Sequence, residues 1–364
     1  MPDLGWNPLH GVPSYPAERY AVLADRIGGI LHSRNDILLV QAEAVVALEA
    51  AAVSLARPGL TAFNIVTSSY GGWFGQWLRR GGAAVADIVA EPGLPIEIET
   101  VAKALQTGPK IDVLALVHAE SASGILNPLP EIVALARARG VVTVVDAVAS
   151  VGGHQLNVDD LGIDIAVIGP QKALGGPAGL SALSVSGRAW DLILRDGAAR
   201  DSILSLADQK SWVDGGRRGL PGTPAPLEFF ALEAALDRIE AEGLENVVAR
   251  HALAASATRA GLAALGAPAW VPAVKASNLV TAVLLPEALA PAALIATAGR
   301  LGVELTEGVG TAPVRLVRLN HTGSRATFQT VLSNVVACGA ALRQAGQPSD
   351  IPAASEAISA AYSQ

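Results

Sequence analysis

Val141-Val142-Thr143-Val144-Val145-Asp146, and a little further on Ile163-Asp164-Ile165-Ala166-Val167-Ile168-Gly169-Pro170-Gln171-Lys172, form the stretch on which the fold of this chain turns. Each half is a short run rich in β-branched residues that closes on a polar group, the pattern of two strands buried on both faces of a parallel sheet. Ligands of open α/β sheets lie beyond the carboxyl ends of such strands. Asp146 and Lys172 would therefore share one rim. A carboxylate and an amine so placed meet the needs of pyridoxal chemistry: the amine holds the aldehyde as a Schiff base, and the carboxylate keeps the ring nitrogen protonated so that the ring acts as an electron sink. The same two residues also read as a helix cap and a solvated loop lysine. Scarcity of lysine bears on that choice, because among Lys103, Lys110, Lys172, Lys210 and Lys275 only Lys172 ends a strongly apolar strand and enters a Gly-rich turn, Ala173-Leu174-Gly175-Gly176-Pro177.

Three motifs, in order, carry a resemblance to a known family: His118-Ala119-Glu120-Ser121-Ala122-Ser123-Gly124, then Val145-Asp146-Ala147-Val148-Ala149-Ser150-Val151-Gly152-Gly153, then Gly169-Pro170-Gln171-Lys172-Ala173-Leu174-Gly175. Over most of its length the sequence resembles the class V aminotransferases of the alanine-glyoxylate and serine-pyruvate type, fold-type I enzymes that depend on pyridoxal phosphate. The resemblance implies an α/β fold with a large, mostly parallel-sheet α/β/α domain over 16–243 and a smaller C-terminal α/β domain over 244–364. Residues 1–15 would pack on the small domain or on a partner subunit. It implies Lys172 as the catalytic acid/base, Asp146 against the ring nitrogen, Tyr70 and Val148 on the two ring faces, and Ser121 on the ring oxygen. Gln171 of the Gln-Lys pair joins the cofactor contacts. Thr223, in a Thr-Pro pair resembling the family's, would sit on a loop that enters the partner subunit's site, so the assembly implied is a homodimer or homotetramer. Arg318-Leu319-Asn320-His321-Thr322-Gly323 resembles the family's Arg-Ile-Gly-His-Met-Gly, whose arginine forks around the substrate carboxylate. His118 and Glu120 are read as holding their loop rather than performing chemistry.

One turn departs from the family. Strand Ile37-Leu38-Leu39-Val40 leads through Gln41-Ala42-Glu43-Ala44 into a helix over 45–55, and a helix start at a sheet rim is where a cofactor phosphate ordinarily lies. Class V members commonly carry a Gly/Ser/Thr-rich turn there, and this chain carries Glu43. A carboxylate about 5 Å from a phosphate costs roughly 3 kcal/mol per phosphate charge at an effective dielectric near 20. Pro170 likewise stands where relatives place a hydroxyl residue. One branch of the family, which takes free pyridoxamine as its amino donor, resembles this chain in the Glu43 turn, in Gly169-Pro170 and in Leu48-Glu49-Ala50-Ala51-Ala52. Glu43 also reads as an ordinary acid at a helix N-terminus. The function expected is a transaminase moving an amino group to a small 2-oxo acid, pyruvate or glyoxylate, with either free pyridoxamine or tightly bound pyridoxal phosphate. The second form would be an alanine/serine-glyoxylate type enzyme.

Composition bounds the rest. A chain of 364 residues, 51% of them hydrophobic, can fill two cores. A net charge of −7 without a basic cluster argues against nucleic acid or an anionic membrane as partner. No apolar run reaches the roughly 18 residues of a membrane span, and the start Met1-Pro2-Asp3-Leu4 lacks a secretory pattern, so a cytoplasmic location is expected. The single cysteine, Cys338, falls in an apolar run, and the six histidines show no metal-ligand spacing, so no metal is expected. Periodicity places further helices over 16–31, 98–106, 227–242, 245–265, 291–301 and 325–344, and strands over 62–66, 83–90, 111–117, 179–186, 278–285 and 314–319. Trp73, Phe74 and Trp77 read as core. The segment 196–226 reads as a long loop, and the tail after Gly346 as polar and peripheral.

Overall fold

A computed structural model describes residues 11–220, 222–309 and 314–363. Seven strands form the main sheet: β1 (Asp36–Val40), β2 (Thr61–Val66), β3 (Ala84–Val89), β4 (Val113–Val117), β5 (Val142–Asp146), β6 (Ile165–Ile168) and β7 (Ser181–Val185), in the order β1-β7-β6-β5-β4-β2-β3. From β6 to β3 all neighbours are parallel, and β7 runs antiparallel to both β6 and β1. Every residue of β4, β5 and β6 is buried, as runs of Val, Ile and Leu covered on both faces require. The register sets Asp146 between Val117 and Val167, so the three central strands end nearly flush and their following loops emerge together. Strand order reverses between β2 and β4, which opens a crevice at that rim.

The helices beside the rim are fitted to it. Helix Ala44–Leu55 buries Ala47, Ala50, Ala51 and Ala52, side chains small enough to bring it close to the sheet. Helix Ser69–Arg80 starts with Ser68 accepting from Tyr70 N–H, and a Cβ at Gly71 would lie 2.9 Å from Ile65 O, so only glycine allows this approach to β2. Thus Tyr70 occupies the first turn of a helix. Phe74 is core, whereas Trp73 is 42% exposed, which corrects the expectation that it packs inside.

A second core fills the C-terminal part around an antiparallel sheet in the order β8 (Val280–Leu284), β10 (Leu316–Asn320), β9 (Thr306–Gly308), backed by helices Leu244–Leu265, Pro291–Arg300, Phe328–Gln344 and Ile351–Tyr362. The last of these replaces the expected peripheral tail. Asp350 caps it, and Ala354 and Ile358 are buried, with Gly261 of the facing helix leaving room for Ile358. Segment 196–226 likewise contains a helix, Leu206–Asp214, that buries Leu206 and Trp212 behind a Ser205 cap. Residues 1–10 lie outside the described residues. Tyr15 is not free to wrap a partner: it is 5% exposed and sits in an aromatic cluster with Tyr20, Phe229 and Phe230 of its own chain. Among the described residues no helix is long and apolar enough to cross a membrane.

Candidate active site

Two adjoining cavities open at the rim. The inner one, about 360 Å³ including space open to solvent, is lined by Glu43, Tyr70, Glu120, Ser121, Asp146, Val148 and Lys172 among others. The outer one, about 900 Å³ and open to solvent, shares Ser121 and Lys172 and adds Gln171, Arg318 and the turn 320–325. Tertiary folding therefore brings Lys172, Asp146, Tyr70, Val148, Ser121 and Glu43 to one cavity, with Gln171 and Arg318 at its mouth. Thr223 is elsewhere, on a separate cavity with Leu39, Gln41 and Ile203.

Asp146 closes β5, and its Oδ1 accepts from Val148 N–H at 3.0 Å. No helix follows Asp146 directly, so it is not the helix cap that the sequence also allowed: the bond holds the turn after β5 and uses one oxygen of a carboxylate that also lines the cavity. Burial pushes its pKa up to about 6, opposed by the Val148 N–H and Lys172 and reinforced by Glu43. Lys172 lies in a tight turn, its N–H on Gly169 O and its carbonyl taken by Gly175 N–H. Burial lowers its pKa and Arg318 lowers it further, while Glu43 and Asp146 oppose. An amine held below its usual range is a better base near neutrality.

Arg318 projects from β10 toward the rim. Its Nε donates to Thr306 Oγ1 at 2.8 Å and one terminal nitrogen to Ser121 O, which anchors the guanidinium while further donors remain. Burial holds it below its ordinary value, so an anion is a welcome partner.

Glu43 caps helix Ala44–Leu55: its Oε2 accepts from Val45 N–H at 2.8 Å, and Val46 N–H is taken by Glu43 O. Gln171 Nε2 donates to Glu43 Oε1 at 2.7 Å, tying the turn after β1 to the turn before Lys172. The ring end of a pyridoxal therefore fits the residues present, with a carboxylate, an amine, a hydroxyl and two apolar or aromatic faces. A phosphate at this helix N-terminus would meet a carboxylate of the chain itself, since Glu43 Oε2 already takes Val45 N–H.

Glu120 is the residue that sequence reasoning assigned only to loop structure. It is fully buried, lines the inner cavity, and has one oxygen, Oε2, without a hydrogen-bond partner. Its signal in the sequence was a charge inside an otherwise apolar and small-residue run, which is costly to bury. Cys338 is buried in helix Phe328–Gln344 with its thiol pushed up to about 12, far from a reactive thiolate. Among the described residues no group of three or more His, Cys, Asp or Glu is arranged to hold a metal.

A family model described as aminotransferase class-V matches residues 24–332. The chain is 36% identical over 332 residues to the pyridoxamine–pyruvate transaminase of Mesorhizobium japonicum, covering 90% of this chain and 84% of that protein. A crystal structure of pyridoxamine–pyruvate aminotransferase from Mesorhizobium loti superposes with a TM-score of 0.90 at 35% identity, covering 94% of this chain and 88% of that one. The alanine–glyoxylate aminotransferase of Callithrix jacchus is 31% identical, covering 86% of this chain and 78% of that protein.

Proposed function

The chain belongs to the class-V aminotransferases, and on that footing we propose that it moves the amino group of free, unphosphorylated pyridoxamine to a small 2-oxo acid of the pyruvate or glyoxylate kind. The observation that carries this reading is the Glu43 cap with its Gln171 tie, which fills the phosphate's place with a carboxylate and an amide. A free hydroxymethyl group can donate to Glu43, whereas a phosphate meets its charge. Similarity to the pyridoxamine–pyruvate transaminase of M. japonicum points the same way.

The bound pyridine ring supplies an electron sink. Asp146, ionised above about pH 6, keeps the ring nitrogen protonated, Tyr70 and Val148 cover the ring faces, and Ser121 bonds the ring oxygen. Lys172 removes a proton at the amino-bearing carbon of the donor and returns one at the acceptor carbon. Arg318 forks around the carboxylate of the oxo acid and so brings its carbonyl to the mouth of the inner cavity. Thr223, in a separate cavity of its own chain, completes the site of a partner subunit in a homodimer or homotetramer. We place the enzyme in the cytoplasm, in keeping with a lone cysteine.

The second reading, a transaminase of the alanine/serine-glyoxylate kind with resident pyridoxal phosphate, is favoured by the 31% identity to the C. jacchus enzyme. One experiment separates the two. Purified protein is incubated with pyruvate and pyridoxamine, pyridoxamine 5′-phosphate, or a panel of amino acids. Pyridoxal accumulating with pyridoxamine and pyruvate supports the proposal; turnover of amino acids by protein that keeps a phosphorylated cofactor through dialysis overturns it.

A further inference from the structure

Glu120 is a buried carboxyl group that the reaction above leaves unused, although it lines the same cavity as Asp146, Lys172 and Tyr70. A chain of oriented bonds, with the unpartnered Oε2 at its end, favours one place for its hydrogen. Ile96 N–H donates to Asn127 Oδ1 at 3.0 Å, which sets the orientation of that amide. Asn127 Nδ2 then donates to Val117 O and to Thr67 Oγ1, each at 2.8 Å. Thr67 Oγ1, already an acceptor, directs its own hydrogen to Glu120 Oε1 at 2.5 Å. Oε1 is thus the receiving oxygen, and Oε2, without a partner, is the one able to carry a hydrogen.

We infer that Glu120 is a positioning residue that works as a neutral acid, its Oε2–H donating to the 3-oxygen of a 3-hydroxypyridine ring while Asp146 remains the one anion beside the ring nitrogen. A bare ionised oxygen in this setting is disfavoured by the loss of water and by Asp146. Burial pushes Glu120 up to about 7, with the Ser68 and Thr67 hydroxyls opposing and Asp146 reinforcing. Lys172 and Glu43 line the same cavity, and His118, two residues away, is buried and held neutral. The inference rests on a pyridoxal-type ring occupying the inner cavity and is indifferent to whether that ring bears a phosphate.

Gln mimics the neutral acid, since its amide oxygen can accept from Thr67 and its nitrogen can donate from the place of Oε2. Leu removes both functions. Dissociation constants for pyridoxamine and for pyridoxamine 5′-phosphate are measured by ring absorbance from pH 6 to 9 on wild type, Glu120→Gln and Glu120→Leu, with thermal midpoints for each. The ratio of wild type to Glu120→Gln at each pH cancels the ligand's own titration. At pH 6, Glu120→Gln should match wild type and Glu120→Leu should bind about tenfold more weakly, the scale of one lost hydrogen bond. As pH rises through about 7, wild type should weaken relative to Glu120→Gln. Glu120→Gln as weak as Glu120→Leu, Glu120→Leu as tight as wild type, or a ratio flat with pH would each overturn the inference. Wild type binding only the phosphorylated ligand would sink the free-pyridoxamine reading instead, with Glu120 still measurable on that ligand.

Discussion

At Lys172 transamination is a matter of one proton. The amine is half-buried, held below its usual pKa and placed in the cavity with Asp146, so Lys172→Ala should reduce the single-turnover rate with pyridoxamine and pyruvate by about 10²–10⁴-fold, the range of a lost general acid/base. Near-normal turnover in that variant would reassign the base. Arg318 has a different signature. Its guanidinium is held by Thr306 and the Ser121 carbonyl, and lysine cannot reproduce the planar fork, so Arg318→Lys should raise KM for pyruvate roughly 10-fold or more while KM for pyridoxamine stays unchanged. Equal changes in both constants would mean that Arg318 shapes the inner cavity rather than the acceptor's place. Both residues were legible in the sequence from strand-end position and motif. Glu120 was not, because its meaning depends on Thr67, a residue distant in sequence that the sheet brings beside it and that Asn127 orients.

Two elements control access to that chemistry. The first is the start of helix Ala44–Leu55, where Glu43 caps the helix and sets a carboxylate at the place a phosphate would take. Serine is an equally good cap without the charge, so Glu43→Ser should leave the thermal midpoint nearly unchanged and improve KM for pyridoxamine 5′-phosphate by at least about tenfold. The Coulomb figure of roughly 3 kcal/mol per charge is an upper bound, because Glu43 is exposed and solvent screens it. An unimproved KM would place the phosphate's barrier elsewhere. The second element is the turn after β10. Gly323 has φ +63, and a Cβ there would lie 2.9 Å from the Lys172 carbonyl, while its N–H and C=O are held by His251 Nε2 at 2.8 Å and Arg250 at 2.6 Å. Gly323→Ala should cost about 1–3 kcal/mol of stability from the left-handed backbone and the close contact. It should also lower kcat by displacing the lysine turn, measured alongside the denaturant midpoint; a variant with normal kcat would show that the turn yields instead.

The whole molecule carries a pH dependence that no single element would reveal. His118, His251 and His321 are buried and His154 is half-buried, and their pKa values are held down to about 3, 4, 3 and 4, in each case chiefly by loss of water. Their unfolded values lie near 6.5, so the unfolded chain binds protons that the native chain refuses, and the stability they contribute is present above about pH 6.5 and lost as pH falls toward 4. Asp146 and Glu120, raised to about 6 and about 7, act oppositely and add stability as pH falls. Four groups outweigh two, so ligand-free protein should lose on the order of 2 kcal/mol per pH unit near pH 5, read from urea midpoints. A flat profile from pH 7 to 5 would mean that these histidines are hydrated. Local composition was enough to identify the buried parallel strands, their polar ends and the family, because β-branched runs, turn glycines and strand-end charges are properties of neighbouring residues. The same local reading missed helices Leu206–Asp214 and Ile351–Tyr362, whose few buried residues become a face only against Ser54 and Gly261 supplied from afar. Tertiary structure alone decided that Gln171 ties to Glu43, that Trp73 faces outward, and that Glu120 joins the cavity, because each depends on which distant groups supply or deny a hydrogen bond and exclude water.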